Sequence, residues 1–351
     1  MKKSNFITIK DVAKDCGVSP MTVSRVLNNF HYVSPEVKDR VLASVERLGY
    51  SPDDAGRRLS VKKGNGSQKT GNIGCILFNT YEKYSEPLWT ELLEELDKVI
   101  IESNLHHYFT YTLKDLESPG IFTRKVNSSV IDGCVLVGLN DASLDMMVKI
   151  RERIGNVVLF GCTDDDSIRC VHPDGIQGGY IATNHLLSLG HRRIACITGF
   201  LTSHSDSKYR LKGYMDALAD AGIKYDPEMV REGRFDIDKA ACETRLLLQM
   251  NPRPTAIYSI SDPMAIGVYK GIQEYGLRIP EDVSVIGFDD ARLSVHIYPS
   301  LTSIGMDKKR MARFVVRLLQ SGVGGSDTGG MKTVFPVKLV KRDSCCRPHQ
   351  T

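Results

Sequence analysis

Residues 8–29 read TIKDVAKDCGVSPMTVSRVLNN, two short amphipathic stretches hinged on a glycine. Ile9, Val12, Ala13 and Cys16 recur at i, i+3, i+4 and i+7, which is one face of a helix. Thr8 followed three residues later by Asp11 has the form of a capping box, and Gly17 supplies a C-terminal stop. After Gly17-Val18, Ser19 is a good N-cap and Pro20 sits at the first helical position, where a missing N–H costs nothing. Val23, Val26 and Leu27 repeat the inward stripe. Met21, Arg25 and Asn28 fall on another face with Thr22 and Ser24 beside it, so the outward side carries a guanidinium, hydroxyls and an amide. Two short helices around a tight turn make a helix-turn-helix. A third follows in SPEVKDRVLASVERLGY, capped by Ser34 and Pro35, lined by Val37, Val41, Val45 and Leu48, and ended by Gly49.

Charge supports a nucleic-acid-binding role for this head. Residues 1–69 hold 13 Lys and Arg against 7 Asp and Glu, whereas the remainder of the 351-residue chain holds 33 against 35. A basic head on a slightly acidic body is the electrostatic footprint of a DNA-binding module. The chain is long enough for two or three domains. No apolar run approaches membrane-spanning length, and MKKSNFITIK lacks a signal-peptide core, so a cytoplasmic protein without membrane association is expected. Nine scattered cysteines show no metal-ligand spacing and read as reduced thiols; no metal and no cofactor is expected.

The two windows TIKDVAKDCGVSPMTVSRVLNN and VSPEVKDRVLASVERLGYSP resemble the head of the lactose-repressor (LacI/GalR) family of transcription regulators. The resemblance implies that the second helix enters the DNA major groove, with Pro20, Met21 and Arg25 facing base edges. It gives Thr8, Ser19, Thr22, Ser24, Asn28 and Tyr32 a place on the DNA contact surface, mostly against the backbone. Arginine can grip guanine O6 and N7 with two hydrogen bonds, a discrimination of ~1–3 kcal/mol. In SPDDAGRRLSVKKGNGSQKTG the resemblance makes Leu59, preceded by Arg57 and Arg58, the wedge of a hinge helix that pries open the minor groove. Gly56 stands where the family usually has alanine, and the Gly-rich linker is longer than usual, so a weaker hinge helix is expected.

From Ile73 onward, apolar runs such as NIGCILF, DGCVLVG, NVVLFG, RRIACITG, PTAIYSI and VSVIGF alternate with helical stretches. That alternation implies parallel sheets covered on both faces, in two doubly wound units with a ligand cleft at the strands' C-terminal ends. The motif order HLLSLGHRRIACITG, PTAIYSISDPMAIG, GLRIPEDVSVIGFDD, PSLTSI again resembles the lactose-repressor family, whose body is similar to periplasmic sugar-binding proteins. The fold expected is thus an all-α three-helix helix-turn-helix head plus hinge, then an α/β body of two parallel-sheet subdomains. The expected boundaries are a head over 1–50, a hinge and linker over 51–71, one subdomain over 72–172 with 303–333, and the other over 173–302 with 334–351.

The resemblance also implies effector contacts at Trp89, Arg210, Asp262 and Asp289. Arg210 forks onto ligand oxygens, Asp289 accepts from ligand hydroxyls, and Trp89 stacks on an apolar sugar face. Ser261 stands where the family has asparagine and Gly161 where many relatives have aspartate, with the run Asp164–Asp166 close by. No GxSxG, GxxxxGK[ST] or HExxH occurs, and His191 in the LGHRR turn reads as structural, so the chain is not expected to be an enzyme. The function expected is a homodimeric repressor of carbohydrate-utilisation genes that binds a pseudo-palindromic operator under control of a sugar-like effector. Two alternatives stand beside it: a global catabolite-type regulator worked by a protein corepressor, and a sugar-binding module or enzyme with an incidental head.

Overall fold

A computed structural model of the chain describes residues 7–27, 33–48, 50, 70–78, 87–118, 120–138, 143–201, 206–321 and 330–348. Asn28, Tyr32, Gly56, Arg57 and Leu59, with the expected hinge helix, lie outside these residues.

Among the described residues the head contains three helices, α1 (Ile9–Asp15), α2 (Pro20–Leu27) and α3 (Pro35–Leu48). Thr8 caps α1 as its sequence suggests: its backbone N–H donates to Asp11 at 2.7 Å, and its hydroxyl bonds the same carboxylate at 2.6 Å. Gly17 adopts φ +66° and turns the chain. Ser19 then caps α2, its Oγ accepting from the Thr22 N–H at 3.0 Å. Val12, Ala13, Cys16, Val23, Val26, Leu27, Val41, Val45 and Tyr50 form the head's core. Asp15 at the end of α1 accepts from Ser44 and Arg47 of α3, which fixes the third helix against the first.

The body is two six-stranded sheets. The first has order β11-β5-β4-β3-β1-β2, built from β1 (Asn72–Leu77), β2 (His106–Thr112), β3 (Gly133–Val137), β4 (Val157–Phe160), β5 (Arg169–Pro173) and β11 (Lys332–Phe335). The second has order β12-β10-β9-β8-β6-β7, built from β6 (Ile194–Thr198), β7 (Val230–Glu232), β8 (Ala256–Ser259), β9 (Ser284–Asp289), β10 (Thr302–Met306) and β12 (Val337–Val340). Among the described residues all pairings are parallel except β10 with β12. The strand order reverses between β1 and β3 and again between β6 and β8, the switch points beside which open α/β sheets bind ligands.

Three of the expected boundaries shift. Residue 173 is expected to begin the second subdomain, but Pro173 ends β5 and pairs with Phe335 in the first sheet. Residues 303–333 are expected in the first subdomain, yet β10 pairs with β9 in the second sheet, so the chain crosses over only at Asp307. Likewise the return to the second subdomain is expected at 334, but β11 keeps Val334 and Phe335 on β5 of the first sheet. The reason is hydrogen-bonding continuity: each crossing strand completes its ladder before the chain turns.

Helices cover both sheets. α4 (Pro87–Glu102) and α12 (Lys308–Gln320) bury Leu92, Leu96, Ile100, Met311, Val315 and Leu319 on one face of the first sheet. Short α5 (Leu113–Glu117) and α6 (Ile121–Lys125), with α7 (Leu144–Ile154), cover its other side. In the second subdomain α8 (Gly175–Ser188) and α9 (Ser207–Asp220) pack together, as do α10 (Ile237–Leu248) and α11 (Asp262–Glu274). The α8–α9 crossing is unusually close. A Cβ on Gly179 would stand 2.0 Å from the Arg210 carbonyl oxygen, and one on Gly213 would stand 2.0 Å from that of Ile176. Gly179→Ala is therefore expected to push α9 outward and lower stability by ~1–3 kcal/mol, read as a lower urea midpoint. A midpoint equal to wild type would show that the two helices separate freely.

Candidate DNA-reading face and effector site

α2 turns its polar side outward. Pro20, Met21 and Arg25 are exposed, Met21 to 63%, while Thr22 and Ser24 are half-buried beside them. Ser19 and Thr22 share a hydroxyl–hydroxyl bond of 2.9 Å at the helix start, so both oxygens lie at the end of α2 that carries Pro20 and Met21. Among the described residues the head's core is built without Arg25, which stands exposed on a short helix whose inward stripe is Val23, Val26 and Leu27.

In the body, three of the four residues expected to touch the effector converge at the C-terminal end of the second sheet. Arg210 lies in the first turn of α9, Asp289 ends β9, and Asp262 opens α11 after β8. Arg210 is 5% exposed and Asp289 1%. The Arg210 Nη1 donates to Asp289 Oδ1 at 3.1 Å and to the Ile260 carbonyl at 2.5 Å, and its guanidinium stacks 3.7 Å over the Phe288 ring. Burial pushes the Asp289 carboxyl upward, against the opposing pull of Arg210 and Lys308.

Asp262 is differently engaged. Its Oδ2 accepts from the Ala291 N–H at 2.8 Å and the Ser294 hydroxyl at 2.6 Å, and its Oδ1 accepts from the Ser303 hydroxyl at 2.7 Å. Three donors on one fully buried carboxylate make it a brace between α11, the loop after β9 and β10. Burial and then Asp289 beside it push its carboxyl upward. Ser261, in the asparagine position, spends its Oγ capping α11 through the Met264 N–H at 3.4 Å. Trp89 stands in the other subdomain, on α4, half-buried against the first sheet's core.

The acidic run near Gly161 is also committed. Asp164 pairs with Lys208 of the second subdomain at 2.9 Å, Asp165 turns onto Ser167, and Asp166 pairs with Lys332 at 2.6 Å. His172 of β5 and Tyr209 of α9 stack across the same boundary at 6.2 Å. His191 is buried and structural: its ring nitrogens meet Thr255, Ser284 and the Cys346 carbonyl at 2.9–3.0 Å. Among the described residues no cluster of three His, Cys, Asp or Glu suits a metal ion, and no helix is long and apolar enough to cross a membrane.

Sequence reading missed Glu91, Lys308 and Arg292. Glu91 Oε1 accepts from the Arg292 N–H at 2.7 Å and its Oε2 from Lys308 Nζ at 2.8 Å, joining the two subdomains beside Asp289. The only sequence trace was an acid next to the apolar stripe of α4, which ordinarily marks a solvated edge.

Comparison with known proteins matches both the helix-turn-helix head and the α/β body. Residues 8–53 match the model of bacterial regulatory proteins of the lacI family, and residues 183–345 match a periplasmic binding protein-like domain. The HTH-type transcriptional repressor PurR of Aliivibrio fischeri is 32% identical over 91% of this chain and 93% of its own. The chain belongs to the LacI family of bacterial regulatory proteins. It is accordingly a DNA-binding transcription repressor with a small-molecule effector, and not an enzyme. A solved complex of the transcriptional regulator CelR with cellobiose superposes with a TM-score of 0.70 at 28% identity, covering 97% of this chain and 100% of that one. A lac repressor dimer bound to operator and the anti-inducer ONPF gives 0.65 at 26%, with the same coverage.

Proposed function

We propose that this LacI-family repressor controls carbohydrate-utilisation genes from the cytoplasm, as a homodimer on a pseudo-palindromic operator, and that its effector is a neutral, sugar-like molecule held by Arg210 and Asp289. The observation that carries the effector class is the buried pair itself. An arginine and an aspartate side by side offer donors and acceptors with no net charge, and a sugar hydroxyl is both donor and acceptor. A charged effector would have to enter a site whose own charges are already paired, at a desolvation cost left uncompensated. Trp89 of the opposite subdomain would then cover an apolar ring face as the subdomains close. At the head, Arg25 reads a guanine, Pro20 and Met21 give apolar contact, and Thr8, Ser19, Thr22 and Ser24 hold the backbone.

Thermal melting of the full chain with cellobiose and a panel of neutral mono- and disaccharides tests this reading. A ligand at 100 times its Kd adds ~2.7 kcal/mol to the bound state, which raises the melting temperature by several degrees. At least one neutral sugar is expected to do so. Stabilisation by charged metabolites alone, with none from any neutral sugar, would contradict the assignment.

A further inference from the structure

We propose that Glu91 and Lys308, both on helices of the first subdomain, are positioning residues for the effector site in the second, so that the restraint on the Asp289 loop is complete when the subdomains are closed on each other. The inference rests on the proposed role of Asp289 as an effector ligand.

The loop after β9 is strained. Asp289 has φ 113° and Asp290 φ 46°, two successive non-glycine residues in the left-handed region. Such conformations cost ~1–3 kcal/mol each and persist only where the surroundings over-determine them. Part of that determination comes from the loop's own subdomain. The Ala291 N–H is taken by Asp262 at 2.8 Å, the Asp290 N–H by Ser303 at 3.1 Å, and the Asp290 carboxylate by Arg342 at 2.6 Å.

The rest comes from across the boundary. Lys308 Nζ donates to the Asp290 carbonyl at 3.1 Å while pairing with Glu91 at 2.8 Å, and Glu91 in turn accepts the Arg292 N–H at 2.7 Å. The Arg292 guanidinium reaches Glu94, one turn along α4, at 2.6 Å. Glu91 and Lys308 side chains are only 10% and 12% exposed, so neither bond is a loose surface contact. α4 and α12 pack against each other in the first subdomain's core, which makes the pair a rigid socket for the loop. Opening the subdomains would withdraw the acceptor of Arg292 and the donor to Asp290 together. By linkage, an effector that fixes Asp289 favours closure, and closure sharpens the effector site by the same factor.

Hydrogen exchange of the full-length, effector-free protein separates this from a plain structural staple. In Glu91→Leu the amides of 290–293 are expected to exchange about tenfold faster or more, as a locally opened segment does, with those of α10 unchanged. The charge-swapped double variant Glu91→Lys with Lys308→Glu restores an ion pair between α4 and α12. It leaves no acceptor for the Arg292 N–H and no donor for the Asp290 carbonyl. There the loop is expected to stay fast while α4 and α12 return to wild-type protection. Slow loop exchange in Glu91→Leu, or a return to slow exchange in the swap, would overturn the proposal. Titration with the sugar that stabilises the wild type adds the functional arm: both variants should bind it more weakly, and equal affinity would overturn the positioning role. Should no sugar affect the wild type, the effector reading fails by itself, and exchange still decides whether the socket holds the loop.

Discussion

Arg210→Ala is expected to abolish the effector response and to lower stability by about 3–5 kcal/mol, the cost of leaving one member of a buried ion pair alone. The stability loss follows from burial: Asp289 is 1% exposed and would lose the Arg210 guanidinium at 3.1 Å, while Phe288 would lose the same guanidinium stacked on its ring. Stability and function can be separated by a second variant. Arg210→Ala combined with Asp289→Ala removes both charges, and should recover a good part of the lost stability without recovering any effector response. Urea denaturation and sugar titration of the three variants check this. A double variant no more stable than Arg210→Ala would show that the arginine stabilises through packing on Phe288 rather than through charge. An effector response surviving in Arg210→Ala would remove the arginine from the site.

Arg25→Ala has the next largest expected effect, ~1–3 kcal/mol for each half-site, with specificity relaxed at one base pair in each. The helix beneath it should be unaffected, because Val23, Val26 and Leu27 carry the packing and Arg25 is exposed. Operator titrations with every base substituted in turn test the claim. A uniform loss across all sequences, with a shallower salt dependence, would make Arg25 a phosphate contact instead.

The head was legible in the sequence because each of its signals is local. Capping at Thr8 and Ser19, the turn at Gly17 and the stripe Val23-Val26-Leu27 all concern residues within a few positions of one another, and the structure repeats them. The central strands β1, β3, β4, β6, β8 and β9 were legible for a related reason: buried on both faces, they are nearly continuous apolar runs. Strands at sheet edges were not. β2 reads HHYFTYT and β12 reads VKLV, since one face meets solvent and polar residues are tolerated there. α12 was also missed; its KKRMARFVVRLLQ alternates charge with the buried Met311, Ala312, Val315, Val316 and Leu319.

The site divides the same way. Arg210 and Asp289 could be placed from motifs, but their mutual contact joins residues far apart in the chain. That Asp262 is saturated by Ala291, Ser294 and Ser303 depends on three loops meeting, which no local pattern encodes. Glu91 was invisible for a further reason: its partners Arg292 and Lys308 belong to a loop and a crossover whose geometry exists only after both subdomains have formed.

The most direct test is to titrate the full-length protein into a palindromic duplex and a scrambled control across a salt series, with and without each sugar of the panel. The expected result is selective binding with a steep loss of affinity as salt rises, changed by at least one neutral sugar in the wild type and by none in Arg210→Ala with Asp289→Ala. Selective binding indifferent to every sugar would contradict the sensor and turn attention to a protein corepressor. Binding without selectivity at any salt would contradict the assignment of the outward face of α2 as the surface that reads DNA.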